Sequence, residues 1–398
     1  MRGRDPYERD RVATPLELLF DLTFATCFGV AASQFAAVLA EGRYAAALIG
    51  FGFASGAICW AWISFSWFSS AYDTDDWIFR VVTMVQMIGV LVLAIGLPRL
   101  FVSVEHGQRL DNSVTVLGYV VMRVALVFQW LRAAKQDPAR RSACLAYAAA
   151  ISIAQLGWVL LVVVRFTTVA AVVLGSILAL IELVGPVLAE RKDGGTPWHA
   201  HHIVERHSLF AIIGLGEGLV GTAVALSAVV DQQGWTLEAA LVGVAGTGLT
   251  FGMWWLYYLV PSAQVLNRHR DRALVWRYGQ VMIVASIVAT GGGLRVAALW
   301  IQHSAHVSPP AVVLSVAIPL AVFLGSMFAL YFYLVRRFGL FDVSLALATA
   351  AIMSVAVAAA WSDISTSWCL VLLMLAPIVT VVGYEVLGYR RQAEAPVD

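Results

Sequence analysis

"AIIGLGEGLVGTAVAL", Ala211 to Leu226, sets Gly216, Gly218 and Gly221 in the G-x-G-x-x-G order of a dinucleotide-binding turn. Such a turn needs a strand before it, a helix after it and a polar anion site, and the Glu217 carboxylate would repel a pyrophosphate. Here the apolar run continues from Leu209 to Val230 with no turn residue other than glycine. A run of that length reads as a membrane-spanning helix. Gly214 and Gly218 then have the small-xxx-small spacing that lets a neighbouring helix pack closely. The reading leaves Glu217, a carboxylate in the middle of a bilayer helix, to be explained.

The rest of the chain agrees. Of 398 residues, 60% are hydrophobic and 13% charged, against roughly a quarter charged in a soluble domain. The fold class is therefore all-α, a polytopic membrane bundle whose first partner is the lipid bilayer. The opening "MRGRDPYERDRV" is a charged tail and not a cleavable leader. A formal net charge of +1 argues against nucleic acid. The four cysteines lie in apolar runs without a C-x-x-C pair and read as packing residues. No cofactor motif is present.

Splitting the apolar runs at their charged, Gly or Pro breaks gives about twelve spans, of which 143–164, 168–189 and 340–361 are the least sharply bounded. This predicts a tail over 1–13, a six-helix half over 14–190, a His-containing connector over 191–203, a second six-helix half over 204–388 and a tail over 389–398. If the N-terminus is inside, 20 of the 26 Lys and Arg residues fall on the cytoplasmic side. The outer side holds Arg43, Arg99, Arg109, Arg165 and Arg295, and Arg123 lies within a span. That split predicts the cytoplasmic membrane with both termini cytoplasmic. The halves are weakly alike: "ELLFDLTF" from Glu17 is echoed by "ERHSLFAI" from Glu205, "CWAWISF" by "MWWLYYL", and "DDWIFR" by "ALVWR", at offsets of 188, 194 and 197. A parallel six-plus-six repeat follows as an expectation.

The polar residues inside or beside the spans are the candidate sites. Thr14, Pro15 and Glu17 have the spacing of a capping box with proline at N1. Asp21, one turn deeper, needs either a proton or a cationic partner. Asp73, Asp75 and Asp76 in "YDTDDWIFR" cap the third span, and Asp76 has i, i+4 spacing to Arg80. "WHAHHIVERHSLF" brings His202, Glu205, Arg206 and His207 to the start of the seventh span, with His202 and Arg206 at i, i+4. The H-E-x-x-H order is absent, so this cluster reads as a solvated or titrating group more than as a metal site. Arg123, Glu182 and Glu217 lie within spans, where a lipid-facing charge costs roughly 2.5 to 3.5 kcal/mol or more. Arg123 is the deepest basic residue in this reading, and a pair with Glu217 or with Asp21 is expected. Trp198, Trp235, Trp300 and Trp368 read as interfacial anchors, and Trp60, Trp62 and Trp67 as packing dense enough to line a pocket.

Taken together, "TPLELLFDLTF" (Thr14 to Phe24), "YDTDDWIFR" (Tyr72 to Arg80) and "HIVERHSLFAIIGLGE" (His202 to Glu217) resemble the bacterial low-temperature-requirement A family, LtrA. The chain departs from the family pattern in having glycines on both sides of Glu217 and in placing its nearest glutamine after Asp21 at Gln34. The resemblance implies a multi-pass membrane protein in which Glu17, Asp21, Asp73, Asp75, Asp76, Arg80, His202, Glu205, Arg206 and Glu217 match the family's polar signature. It implies no activity. The residues themselves favour a secondary transporter of a small solute, coupled to protons or to another cation, in which Asp21 and Glu217 carry the proton or cation and Arg123 is the counter-charge. The alternatives are an intramembrane enzyme acting on an apolar substrate through Glu17, Asp21, Asp73, His202 and Glu205, or a structural or sensory protein whose charges serve assembly. Oligomeric state is open.

Overall fold

The computed structural model describes residues 1, 3–8, 11–106, 111–164, 166–336 and 339–388. The predicted tail over 389–398 and five counted arginines outside that tail (Arg2, Arg9, Arg109, Arg165 and Arg337) lie outside the described residues. Among the described residues the secondary structure is helical, and twelve helices are long and apolar enough to cross a membrane. They are α1 Pro15–Ala40, α2 Tyr44–Tyr72, α3 Trp77–His106, α4 Ser113–Gln136, α5 Arg141–Val164, α6 Thr168–Ala189, α7 Ala200–Gln233, α8 Leu237–Tyr258, α10 Ala273–Ile301, α11 Pro309–Val335, α12 Leu340–Trp361 and α13 Thr366–Gly383. The short α9, Ser262–Arg268, lies between α8 and α10. Even α13, with 18 residues, covers about 27 Å at 1.5 Å per residue, close to the hydrocarbon thickness of a bilayer.

The helix ends form where their sequences supply caps. The Thr14 backbone N–H donates to Glu17 Oε2 at 2.9 Å and the Glu17 N–H to Thr14 Oγ1 at 3.3 Å, which is the reciprocal box that starts α1. The Thr236 hydroxyl accepts from the Ala239 N–H at the start of α8. At the end of α7, Gly234 takes a left-handed φ of 75°. Its N–H closes on the Val230 carbonyl at 2.8 Å, an arrangement that favours glycine.

The chain forms two compact units. The first comprises Met1–Val38, Tyr44–Ile213 and Leu266–Arg277, and the second Leu39–Arg43, Gly214–Val265 and Tyr278–Asp398. In the first unit α3 packs on α4, α4 on α5 and α5 on α6, with α2 against α3 and α4. The α3–α4 contact is made backbone to backbone. A Cβ built on Gly118 would lie 2.5 Å from the Gly89 carbonyl oxygen, and one on Gly89 would lie 2.7 Å from the Gly118 carbonyl. Small residues permit that approach in lipid, where dispersion and polar contacts must hold helices together. α6 is the most peripheral span, with 17% of its apolar window buried, and its Val169, Val173, Leu180 and Leu188 side chains are exposed.

In the second unit α13 packs on α8, α11 and α12, and α11 on α12. The glycine stretch of α7 does bring helices together, at one of the two expected positions, Gly218, where a Cβ would lie 2.5 Å from the Thr250 hydroxyl oxygen of α8, and at one further along. Gly214 makes ordinary contacts, its Cβ position lying 3.5 Å from Val284, Ile287 and Val288. The backbone-to-backbone approach is at Gly221 and Gly291, where a Cβ on Gly221 would sit 2.5 Å from the Gly291 carbonyl, and one on Gly291 at the same distance from the Glu217 carbonyl. All four cysteines are buried and free.

Gly118→Ala should therefore lower thermal stability in detergent by about 1–3 kcal/mol, the cost of overpacking. Gly52→Ala, where the added methyl meets nothing within 4 Å, should be neutral or stabilising by up to about 1 kcal/mol. Melting temperatures of the two variants measured side by side check the contrast.

Candidate functional site

Three groups of charged side chains are buried in helices, two in the first unit and one in the second. The largest is built from two pairs with the same spacing. Glu17 and Asp21 are four residues apart on α1, and His202 and Arg206 are four apart on α7, so each pair shares a helix face. The Arg206 guanidinium reaches both acids, with Nη1 2.6 Å from Glu17 Oε1, Nη2 2.6 Å from Asp21 Oδ1 and Nε 3.2 Å from Asp21 Oδ2. His202 Nε2 stands 3.1 Å from Glu17 Oε2. From α2, the Trp62 indole N–H donates to Asp21 Oδ1 at 2.7 Å, and Ser69 Oγ accepts from Arg206 Nη1 at 3.2 Å. Glu17, Asp21, His202 and Arg206 are all buried, none more than 1% exposed.

Aromatic rings close the group. Trp62 stacks on Phe210 at 4.0 Å between centroids, and the His207 ring lies edge-on to Trp62 at 4.9 Å and 4.7 Å from Trp276. His207 Nδ1 bonds the Ile203 carbonyl at 2.8 Å, so this residue of the predicted cluster joins the wall and not the ion pairs. Glu205 accepts from the Ala13 N–H at 3.2 Å, and His201 is exposed. His201, His202 and Glu205 thus do not converge, and no group of three or more His, Cys, Asp or Glu side chains among the described residues is placed to hold a metal ion.

The second group corrects an expectation. Arg123 pairs with neither Glu217 nor Asp21 but with Glu182 of α6, Nη2 to Oε2 at 2.8 Å. The same oxygen accepts the Tyr119 hydroxyl, and Glu182 Oε1 accepts from Gln155 at 3.1 Å and from Trp158 at 3.0 Å. Asp21 already has Arg206, which is why Arg123 is not its counter-charge. The third group, in the second unit, gives Glu217 its own cation: Arg295 Nη2 lies 2.7 Å from Glu217 Oε2. Arg295, assigned above to an outer segment, is within α10, one turn after Gly291, and the glycine contact brings its guanidinium into reach. Arg206 and Arg277 are also buried in helices, so Arg123 is not the single deep cation of the sequence reading.

The acidic turn between α2 and α3 departs from the expected pairing as well. Asp76 caps α3, accepting from the Phe79 N–H at 3.0 Å, and its carboxylate meets Arg132 of α4 at 2.7 Å. Arg80 instead pairs with Asp75 at 2.7 Å. Asp75, with φ at 48°, is turned into that position by the left-handed bend. Arg80 holds the Asp75 carboxyl below its ordinary value, and Arg132 does the same for Asp76. Asp73 behaves oppositely: burial, followed by the Glu17 charge, pushes its carboxyl up to about 6. Arg11 enters the same region, donating to the Ser69 carbonyl at 2.9 Å. Trp198, expected at an interface, is buried under the Arg270 guanidinium, 3.8 Å from its ring.

Compared with known families, residues 12–377 match the bacterial low temperature requirement A protein, LtrA. The chain belongs to the LtrA family. Among curated proteins, it is 25% identical over 293 residues to the uncharacterized protein RA0937 of Rhizobium meliloti (strain 1021), a match that covers 70% of this chain and 67% of the relative. No solved structure matches. The LtrA signature quoted from the sequence falls on the first buried group: Glu17, Asp21, His202 and Arg206 are brought together, with Glu205 beside them on the Ala13 N–H. Asp75, Asp76 and Arg80 form separate exposed or half-buried pairs, and Glu217 belongs to the second unit. Sequence reasoning missed Tyr119, Gln155, Trp158 and Ser69. Only Tyr119 carried a local signal, its i, i+4 spacing to Arg123.

Two outcomes are expected for this LtrA chain. Because folded Asp73 takes up its proton near pH 6 and an unfolded one near 3.8, the folded state binds more protons between those values. Stability should then fall as pH rises from 3.8 to 6, by on the order of 3 kcal/mol, and stay lower above. Asp73→Asn should flatten that slope in melting temperatures taken across the range. Arg206→Met leaves two buried carboxylates without their cation and should cost about 3–5 kcal/mol. Combining it with Glu17→Gln and Asp21→Asn should recover a large part of the loss.

Proposed function

We propose that this LtrA-family protein is a proton-coupled secondary transporter of a small solute in the cytoplasmic membrane. What carries the reading is the group around Arg206, in which two fully buried carboxylates share one guanidinium beside one imidazole. With the imidazole neutral, that group holds one negative charge more than positive, and an uncompensated buried charge is expensive. One bound proton balances it. A site that is neutral when loaded and charged when empty is what coupling a solute to a proton gradient requires, and ionisable residues inside membrane spans commonly mark such paths.

Asp21 is the proton carrier in this proposal, Arg206 the counter-charge it shares with Glu17, and His202 the neutral partner that holds Glu17 in place. Glu217 with Arg295, and Glu182 with Arg123, are neutral pairs and serve packing. The excess of Lys and Arg on one side of the spans supports an orientation with both termini cytoplasmic. The slowly drifting offsets between the two halves support a parallel repeat of six spans. An intramembrane enzyme would need the acids of the Arg206 group to meet a substrate, whereas their oxygens are engaged by Arg206, Trp62, His202 and the Thr14 N–H.

Proteoliposomes with an imposed pH gradient and an internal pH-sensitive dye test the proposal against a panel of small solutes. At least one solute is expected to accelerate proton entry in the parent protein, and Asp21→Asn should cut that rate at least about tenfold, a barrier change of about 1.4 kcal/mol. If Asp21→Asn and Glu17→Gln, both folded, leave every gradient-driven flux unchanged, the proposal is lost.

A further inference from the structure

One buried face of α2 is polar from its C-terminal end down to the Arg206 group. Trp62, Ser66, Ser69 and Asp73 follow at intervals of four, three and four residues, the spacing of one helix side, and all four are buried. Two of them already touch the group: the Trp62 N–H donates to Asp21, and Ser69 Oγ accepts from Arg206. Asp73 stands at the other end of the stripe, just beyond the last residue of α2, and its N–H donates to the Ser69 carbonyl at 3.0 Å. The same carbonyl accepts from Arg11. Asp73 thus lies about 6 Å along the helix direction from the serine that contacts Arg206, at 1.5 Å per residue.

Several atoms along this stripe lack hydrogen-bond partners. Asp73 Oδ2, Ser66 Oγ, and Arg11 Nε and Nη1 are buried and bond no atom among the described residues. Buried polar atoms are nearly always satisfied, and those that face a polar gap are commonly joined by water. Other described ionisable groups at this end have partners. Arg4 holds Glu8 at 2.8 Å, His199 bonds the Glu8 carbonyl and the His202 N–H, Glu205 accepts from the Ala13 N–H, and Asp75 and Asp76 hold Arg80 and Arg132. That leaves Arg11 as the near cation of Asp73, ahead of Arg4, and Glu17 as its near anion. Adding Arg11 and Asp73 to the Arg206 group gives two guanidiniums against three carboxylates. The one proton that neutralises the set therefore has a carboxylate to occupy at each end of the stripe.

We propose that Asp73 is the port through which protons enter and leave the Arg206 group, an inference that rests on the proton-coupled reading of that group. A proton taken up by the Asp73 carboxylate passes, through water held along Ser66, Ser69 and Arg11, to the Asp21 carboxylate. Asp73 is left ionised near Arg11 and Asp21 neutral beside Arg206, and no other group changes charge. Burial and the Glu17 charge, which hold the Asp73 carboxyl up at about 6, let it exchange protons near neutral pH, as a relay between water and a deeper acid must.

Two measurements on the full-length protein test the port. The first needs no transport: infrared difference spectra of the purified protein should show a protonated carboxyl band that disappears as pH rises through about 6 and is missing from Asp73→Asn. The second is proton entry into proteoliposomes under a pH gradient of constant size, with a solute that the parent protein carries. The rate should rise as pH on the Asp73 side falls through about 6. Asp73→Asn should lower it at least about tenfold and abolish that pH dependence, and Asp73→Glu should restore both in part, which a role in packing alone would not produce. If no such band titrates, or if Asp73→Asn carries protons at the parental rate, the port is overturned and the transporter reading stands. If the band titrates but no solute drives proton entry in the parent, the transporter reading fails and takes the port with it.

Discussion

A charge inside a bilayer must find a partner within the protein, and that constraint organises this molecule. Each deep carboxylate has a guanidinium from another helix: Glu17 and Asp21 take Arg206, Glu182 takes Arg123, and Glu217 takes Arg295. These contacts join α1 to α7, α4 to α6 and α7 to α10. Hydrophobic burial cannot choose among apolar helices in lipid as it does in water, because a lipid tail is as apolar as leucine. The pairs supply the specificity that greasy surfaces lack, since any register that separated them would leave charges in hydrocarbon.

Glycine sets how near the partners can come. Gly291 meets the Glu217 carbonyl on α7, and one turn later Arg295 bonds the Glu217 side chain. A larger residue at 291 would push α10 outward and lengthen an ion pair that gains most from short range. In α3 and α4 the same device, Gly89 against Gly118, sits above a buried Gln86 to Gln129 amide bond of 3.0 Å. Close backbones and short polar bonds recur together, as expected where each makes the other possible.

Local features were legible in the sequence. The twelve spans follow from apolar length, and the Thr14–Glu17 box from side chains whose partners are three residues away. Even the two i, i+4 pairs of the Arg206 group were visible one at a time. What the sequence did not disclose was that they face one another, because 185 residues separate Glu17 from His202 and periodicity says nothing about which helices are neighbours. The same blindness produced the Arg123 error: Arg123 is buried, but burial does not choose between Glu182, Asp21 and Glu217. In the acidic turn the spacing from Asp76 to Arg80 allowed a helical pair, yet capping α3 aims Asp76 at the helix N-terminus and at Arg132, which leaves Arg80 to Asp75.

The groups differ in one respect that bears on what each can do. The Arg123–Glu182 and Arg295–Glu217 pairs match one negative charge with one positive, so each is electrically complete and has no use for a proton. Around Arg206 two acids face one guanidinium, and the other side chains that bond the group are a histidine, a tryptophan indole and a serine hydroxyl. A fold that needed only to pin α1 to α7 would be served by one carboxylate. A second, buried at the cost of further desolvation, is a stability penalty that assembly alone does not explain, and it is this surplus that separates the Arg206 group from the other two.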